Sequence, residues 1–398
     1  MTNKNPIAWV SATMVVALMG TALVSPLYPI YQKAWQLTSG EVTQLYVIYM
    51  AGALVSLLVF GRLADLVGFY RVLALSLVLS LVGTSLSLLA GGFYVFAVGR
   101  FLVGVAASLV TTGGLVALTT LTRPERRRKL ALLSSLIISA GFALGPIAGG
   151  LLGQLASKPL VSAYVPSLIL LVICMAGHIV AVPRPEQPLR LPNWRVFLPQ
   201  LRWSDKADSR HFALTCCLPF ISFGVFGLYA SMAPLMIRDF IGLDGPVVSG
   251  AFIGLFLTCV AVTQFMARGL TPRVTGLVSL VMIVVGNLCM LVNLGIGSLW
   301  IFAGGVLVGA IGHGLSLLAS IAVLVEVSRD ENRGALTSTY WAIGYSGSIF
   351  PMLLLGWIAD HWGLARAIFL FCTTIVIACA VVFILTAILG RRSSVKTG

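Results

Sequence analysis

The sequence predicts an all-α polytopic membrane protein with twelve transmembrane helices in two similar six-helix bundles, on three observations. The chain has 398 residues, of which 59% are hydrophobic and 10% charged, where a soluble domain carries roughly 25% charged residues. One half predicts the other at a constant offset of 205 residues: Pro29 pairs with Pro234, Gly40 with Gly245, Gly99 and Gly104 with Gly304 and Gly309, Glu125 with Asp330, Arg128 with Arg333, and Pro146 with Pro351. The positive charge is confined almost entirely to alternate loops. A duplicated membrane unit is the layout of a machine whose halves rock about a central site.

Each apolar stretch approaches the ~20 residues that cross about 30 Å of hydrocarbon. Each must be a helix, because lipid offers the backbone no other hydrogen-bond partner. Span 1, over 8–31, follows Lys4 and shows no clear small-residue cleavage site; it is expected to be a retained helix rather than a signal peptide. Span 2 covers 42–60, after Gly40 and Glu41, and gives way to a loop from Gly61 to Arg71. Span 3 (71–90) and span 4 (93–119) precede the most basic short loop, Arg123, Arg126, Arg127, Arg128 and Lys129. Span 5 (130–155) and span 6 (162–182) flank Lys158 and complete the first bundle, residues 1–182.

Five prolines between Pro183 and His211 prevent a continuous helix there, so 183–211 is a linker. Its stretch Asn193 to Trp203 mixes aromatic, aliphatic and Arg residues, which suits a segment lying along the inner headgroup surface. Spans 7 to 12 follow over 212–237, 246–267, 274–294, 298–325, 335–358 and 364–389; they form the second bundle, 212–390, before a tail over 391–398.

With the N-terminus inside, 21 of the 26 Lys and Arg lie in inner loops and only Lys33, Lys158, Arg238 and Arg366 lie outside; Arg100 falls within a span. This asymmetry sets both termini in the cytoplasm. It also accounts for the net charge of +14 without nucleic acid. All seven cysteines fall in apolar spans, with no C-x-x-C spacing, so neither disulfides nor a metal site is expected. Gly141, Gly145, Gly149 and Gly153 recur every four residues, lining one face of span 5 for close helix approach. Gly304, Gly309, Gly312 and Gly314 are expected to do the same in span 10.

Three motifs carry more. The loop Gly61-Arg-Leu-Ala-Asp65-Leu-Val-Gly68-Phe-Tyr-Arg71 is similar to the G-x-L-a-D-r-x-G-r-k signature of the major facilitator superfamily. It departs at Leu66, Phe69 and Tyr70, positions often basic in that family. Gly99-Arg100-Phe-Leu-Val-Gly104 resembles the family's G-R-x-x-x-G in span 4. Gly141-Phe-Ala-Leu-Gly145-Pro146-Ile-Ala-Gly149-Gly150 resembles the antiporter signature g-x-x-x-G-P-x-x-G-G at every named position. The resemblance covers the whole chain and implies the major facilitator fold, in its twelve-span drug:proton antiporter group.

The resemblance assigns Asp65 to a conformational latch, with Gly61, Gly68 and Arg71, facing the N-terminus of span 11 as an anion-favouring helix end. The matching loop of the second half, Arg268 to Arg273, lacks the acid. The resemblance also implicates Arg100 in proton transfer and makes the span-5 motif the mark of an exporter. Pro146 there frees a backbone carbonyl and bends the helix. Arg100 aligns with Gly305 of the repeat, so packing does not impose the charge, and an intramembrane Arg marks function by default. It also lies about 9 Å outward of the span centre, within reach of snorkelling.

In the family, spans 1, 4, 7 and 10 surround the cavity. The candidates on them are Thr21, Tyr28, Ser108, Thr112, Phe223, Tyr229 and Ser316, although Ser and Thr in membrane helices commonly bond to their own backbone. Phe220, Phe223 and Phe226 recur at three-residue spacing and suit flat apolar substrates or plain core packing. His313, near the centre of span 10, offers an imidazole that titrates across physiological pH; a buried neutral His is the other reading. All twelve Asp and Glu lie in loops or at span ends. Proton coupling is therefore expected to use Arg100, His313 and Glu326 in some combination. Without a deep acid to offset a cation's desolvation, neutral or weakly anionic organic compounds fit better than polycations.

The reading is proton-coupled efflux of small amphipathic compounds by a monomer in a bacterial cytoplasmic membrane. Its partners are a small-molecule substrate, protons and the lipid bilayer, with no cofactor, no metal and no nucleic acid. A symporter importing an organic anion or sugar-like metabolite is the alternative. A non-transporting sensor is less favoured, as only nine residues follow Leu389. No Ser/His/Asp set or phosphate-binding loop indicates an enzyme.

Overall fold

The structure, a computed structural model, describes residues 5–123, 127–184, 198–199, 201–205, 209–329 and 332–394, with the side chains of all but 127–133 and 389–394. Among the described residues, twelve helices are long and apolar enough to cross a membrane. They are α1 (Pro6–Trp35), α2 (Ser39–Phe60), α3 (Phe69–Leu89), α4 (Phe93–Leu121), α5 (Arg127–Leu155), α6 (Pro159–Ala181), α7 (Ser209–Ser231), α8 (Pro246–Met266), α9 (Pro272–Ile296), α10 (Leu299–Val327), α11 (Arg333–Trp362) and α12 (Leu364–Ser394). Among the described residues there is no strand. The chain is thus an all-α, multi-pass integral membrane protein.

Three boundaries depart from the sequence expectation for local chemical reasons. α1 is not continuous: an α-helix over Pro6–Ala22 passes through a 3₁₀ turn at Ser25–Leu27 into a second helix at Tyr28–Trp35. Pro26 and Pro29 remove donors from that stretch. The repeat shows the same interruption after α7, where Ala233–Met236 follows as a separate turn with Pro234 at its start. α2 begins earlier than the predicted 42, because Thr38 and Glu41 form a reciprocal cap. Thr38 N donates to Glu41 Oε2 at 2.8 Å, and Glu41 N donates to Thr38 Oγ1 at 3.1 Å. α12 runs to Ser394, through the first part of the expected tail.

Residues 193–197 of the expected interfacial segment lie outside the described residues. Leu201–Asp205 is not helical. It is held to α11 instead, with Arg202 N donating to Thr339 Oγ1 at 2.9 Å and Thr339 Oγ1 donating to Arg202 O at 2.8 Å.

Contacts divide the chain into two units. Unit 1 comprises Met1–Leu37, Leu45–Pro199 and Asp244–Gly254; unit 2 comprises Thr38–Gln44, Gln200–Leu243 and Leu255–Gly398. Unit 1 is built on glycines that let backbones meet. A Cβ on Gly104 would collide with the Tyr49 carbonyl, and one on Gly52 with the Phe101 carbonyl, so α2 and α4 cross in direct backbone contact. On the other side of α4, a Cβ on Gly99 would lie 2.8 Å from Gly83 O of α3. The predicted glycine face of α5 packs on α1: a Cβ on Gly141 would lie 3.0 Å from Val15 O, and Cβ atoms on Gly145 and Gly149 would collide with the Met19 and Leu23 carbonyls. Within the same unit a Gly150 Cβ would sit 2.5 Å from Pro246 O.

In unit 2, a Cβ on Gly312 would lie 3.0 Å from Ser279 O and one on Gly314 2.9 Å from Val260 O. A Cβ on Gly304, by contrast, would meet nothing within 4 Å, so that glycine has no packing role. Helix overpacking costs about 1–3 kcal/mol. Gly104→Val should therefore lower the apparent melting temperature of the purified protein, whereas Gly304→Ala should leave it unchanged or raise it. Equal behaviour of the two variants in a thermal-shift series would contradict this account of the helix crossings.

Candidate functional site

Arg100 sits on α4 between Gly99 and Gly104, and those two glycines fix its surroundings by drawing α3 and α2 against α4. The approach at Gly104 brings Tyr49 under the guanidinium, whose Cζ lies 4.7 Å from the ring centroid. Nη1 donates to the Thr21 carbonyl at 2.9 Å, close to where α1 loses its regular hydrogen bonds. Arg100 is only 2% exposed, so it does not snorkel. Tyr28 is buried beside it with its hydroxyl turned to the guanidinium, although neither Tyr28 Oη nor Arg100 Nε makes a well-aligned hydrogen bond among the described residues.

The surrounding shell is aromatic. Tyr31 Oη and Tyr164 Oη share a 2.7 Å hydrogen bond, and the Tyr31 and Phe96 rings lie 4.4 Å apart. A buried cation is therefore held by one carbonyl, one π-face and the neighbouring Tyr28 hydroxyl, with no well-aligned acceptor for its Nε–H among the described residues. At the repeat position, a Cβ on Gly305 would lie 3.0 Å from Cys289 Cβ and 3.2 Å from Gly286 O, so the approach of α9 crowds any side chain there.

In unit 2, His313 on α10 faces α7. Its Nδ1 lies 2.7 Å from Ser222 Oγ and 3.0 Å from Ser222 O. A carbonyl only accepts, which assigns the proton to Nδ1 and leaves the lone pair on Nε2. The rings of Phe223, Phe226 and Phe256 stand 5.8, 5.8 and 5.6 Å from the imidazole. Phe223 stacks on Tyr345 of α11 at 5.4 Å, and Trp341 lies 6.1 Å from it. Phe223, Phe226, Trp341 and Tyr345 are all partly exposed, so the group is a wall rather than a closed core. Phe220 does not join it; its carbonyl abuts Gly347, and its side chain is 36% exposed.

The other predicted residues divide. Thr21 stays with the Arg100 group through its carbonyl and a side-chain hydrogen bond with Tyr49, its Oγ1 also donating to Leu18 O at 2.6 Å, whereas Thr112 Oγ1 donates to Ser108 O at 3.0 Å within its own helix. Ser316 Oγ donates across to Leu218 O of α7 at 3.0 Å, and buried Tyr229 donates to Gly305 O at 3.4 Å. Glu326 is exposed at the far end of α10. Thirteen residues, roughly 20 Å of helix, separate it from His313, so the two do not form one proton-handling group.

The Asp65 loop folds as a short helix over Leu63–Val67, ended by Gly68 at φ 86°, a conformation that favours glycine. Arg71 Nη1 closes it by donating to the Val67 carbonyl at 3.0 Å, and Asp65 itself is exposed. Tyr49, Tyr31, Tyr164, Phe256, Trp341 and Tyr345 were not legible as site residues, because spacing within one helix says nothing of which neighbour it meets.

The sequence pattern described as "Major Facilitator Superfamily" matches residues 10–292. The chain is 24% identical over 190 residues to "Quinolone resistance protein NorA" of Staphylococcus aureus, an alignment covering 45% of this chain and 49% of that protein. It therefore spans about half the length of that relative. It is 22% identical over 361 residues to "Bacillibactin exporter" of Bacillus subtilis (strain 168), covering 86% and 87% of the two chains. Among solved structures, the inward-facing, unoccupied bacterial homolog of the human lysosomal transporter Spinster superposes with a TM-score of 0.73 at 14% identity, covering 96% of each chain. The human organic anion transporter MFSD10 (TETRAN) superposes with a TM-score of 0.66 at 15% identity, covering 97% of this chain and 100% of that one. These two likenesses concern the fold alone.

A buried charge without a counter-ion costs stability, and replacing it with an apolar group of similar size is often neutral or favourable. Arg100→Leu should therefore match or exceed the thermal stability of the wild-type protein, the mark of a residue retained for function. A fall of several degrees in melting temperature would make the guanidinium a packing element instead.

Proposed function

The chain belongs to the Major Facilitator Superfamily, and from that premise we propose that it is a secondary active transporter that exports small amphipathic organic compounds in exchange for protons. The observation that carries this reading is the sign of its buried ionisable groups. Among the described residues no Asp or Glu is buried, whereas Arg100 is 2% and His313 5% exposed. An interior with a fixed cation and a titratable base, and no fixed anion, suits neutral or weakly anionic cargo and penalises polycations.

The aromatic wall of Phe223, Phe226, Trp341 and Tyr345 supplies flat faces for such cargo, and His313 Nε2 supplies an acceptor for a hydroxyl or amine. Proton coupling is assigned to His313 and Arg100. Protonating His313 at Nε2 adds a charge beside the aromatic wall and discharges a cargo that needs an acceptor there. Arg100, permanently charged, sets the local potential that a moving proton must cross. Asp65 is the latch of the alternating-access cycle. Both termini lie in the cytoplasm, following the positive-inside asymmetry, and the monomer is the transporting unit. Export, rather than import, draws support from the complete glycine-proline signature of α5 and from the relatives named as a quinolone resistance protein and an exporter.

The free Nε of Arg100 favours one other reading, uptake of an organic anion with that guanidinium as its partner. Inverted membrane vesicles separate the two. Acidifying the lumen should drive accumulation of a neutral aromatic dye, an uncoupler should abolish it, and His313→Ala should reduce it about tenfold or more, the range of one positioned acid–base group. Gradient-driven uptake of an organic anion into right-side-out vesicles, with no dye accumulation in inverted ones, would replace export with import.

A further inference from the structure

Unit 2 holds a cavity of about 300 Å³ between the charged ends of α7, α9, α10 and α12, apart from both clusters described above. Leu218, Leu280 and Ala319 form an apolar floor, while His211, Arg273 and Glu326 line its mouth. Arg273, His211 and Glu326 are all exposed. Among the described residues no ion pair within 4.0 Å joins Arg273 to Glu326. A cation and an anion thus share one cleft without neutralising each other, which leaves each free for a ligand of opposite charge.

We propose that this cleft is a binding site for a zwitterionic amine phospholipid, phosphatidylethanolamine. Three features select that chemistry. The separated charges complement a phosphate at Arg273 and His211 and an ammonium at Glu326, each a charge-assisted hydrogen bond. The apolar floor beneath a charged rim matches a headgroup carried on hydrocarbon. The volume equals that of about ten waters, the low end of small-molecule pockets, and so fits a headgroup with its first methylenes better than a whole drug-sized compound. The mouth also lies where four membrane-crossing helices reach their charged ends, the depth at which headgroups sit. Phosphatidylglycerol would bring the same single phosphate to Arg273 but only neutral hydroxyls to Glu326, and a choline headgroup would lack the N–H donors for Glu326.

Native mass spectrometry of the purified full chain, supplied with equimolar phosphatidylethanolamine, phosphatidylcholine and phosphatidylglycerol, tests the assignment. Wild-type protein should retain phosphatidylethanolamine about tenfold over phosphatidylglycerol, the size of one charged hydrogen bond. Glu326→Gln should bring that ratio close to one, and Glu326→Lys should invert it. Arg273→Gln should weaken retention of both lipids. The inversion by Glu326→Lys is a gain that a misfolded variant could not produce. Equal retention of all three lipids by the wild type would make them ordinary surrounding lipid and overturn the proposal. Displacement of the lipid by soluble phosphoethanolamine at the same concentration would also overturn it, pointing to a soluble zwitterion as the occupant.

Discussion

Two membrane helices can touch backbone to backbone only where no side chain stands between them, and that constraint organises everything else in this protein. Glycine supplies the gaps. In unit 1 the paired approaches at Gly52 and Gly104 press α2 against α4, while Gly83 and Gly99 press α3 against the neighbouring face of α4. Arg100 lies between the two glycine contacts of α4. Its long side chain has one direction left, toward the broken part of α1, and there it finds the Thr21 carbonyl and the Tyr49 face. The position of the charge follows from the packing of uncharged residues.

That arrangement also explains why the two halves, similar in sequence, differ in chemistry. The position equivalent to Arg100 is Gly305, where α9 closes in through Gly286 and Cys289. Unit 2 instead places an imidazole about 12 Å further along α10 and holds it by Ser222 on α7. One unit thus carries a permanent cation with a spare donor; the other carries a neutral ring with a spare acceptor. Neither charge state has a carboxylate to balance it, so hydrocarbon and aromatic rings set the local electrostatics. Such sites are costly, and they persist in membrane proteins where transport needs them.

The twelve helices were legible because lipid admits few alternatives, and hydropathy with length reports that restriction directly. The ends of the helices were less so. The Thr38–Glu41 cap extends α2 past a residue whose charge had marked a loop, and Pro26 and Pro29 break α1 within an apolar run. The site was legible in parts. Arg100 and His313 were visible as polar groups in apolar spans, but the depth of Arg100 depends on Tyr49 and Tyr28, which come from other helices. Rise per residue alone put it within reach of the surface. Phe220 shares the spacing of Phe223 and Phe226, yet Gly347 of α11 takes the space beside its backbone. Glu326 and His313 share a helix and nothing more, since distance along α10 separates them.

The central claim is that buried bases, rather than buried acids, couple this protein to protons. A pH-sensitive dye trapped in the lumen of inverted vesicles reports it directly, by recording proton release from the lumen when cargo is added outside. The account predicts that release disappears in a His313→Ala, Arg100→Gln double variant and persists when Glu41, Asp360 or Glu326 is replaced singly by its amide. Release that survives the double variant and vanishes with one of those amides would contradict it.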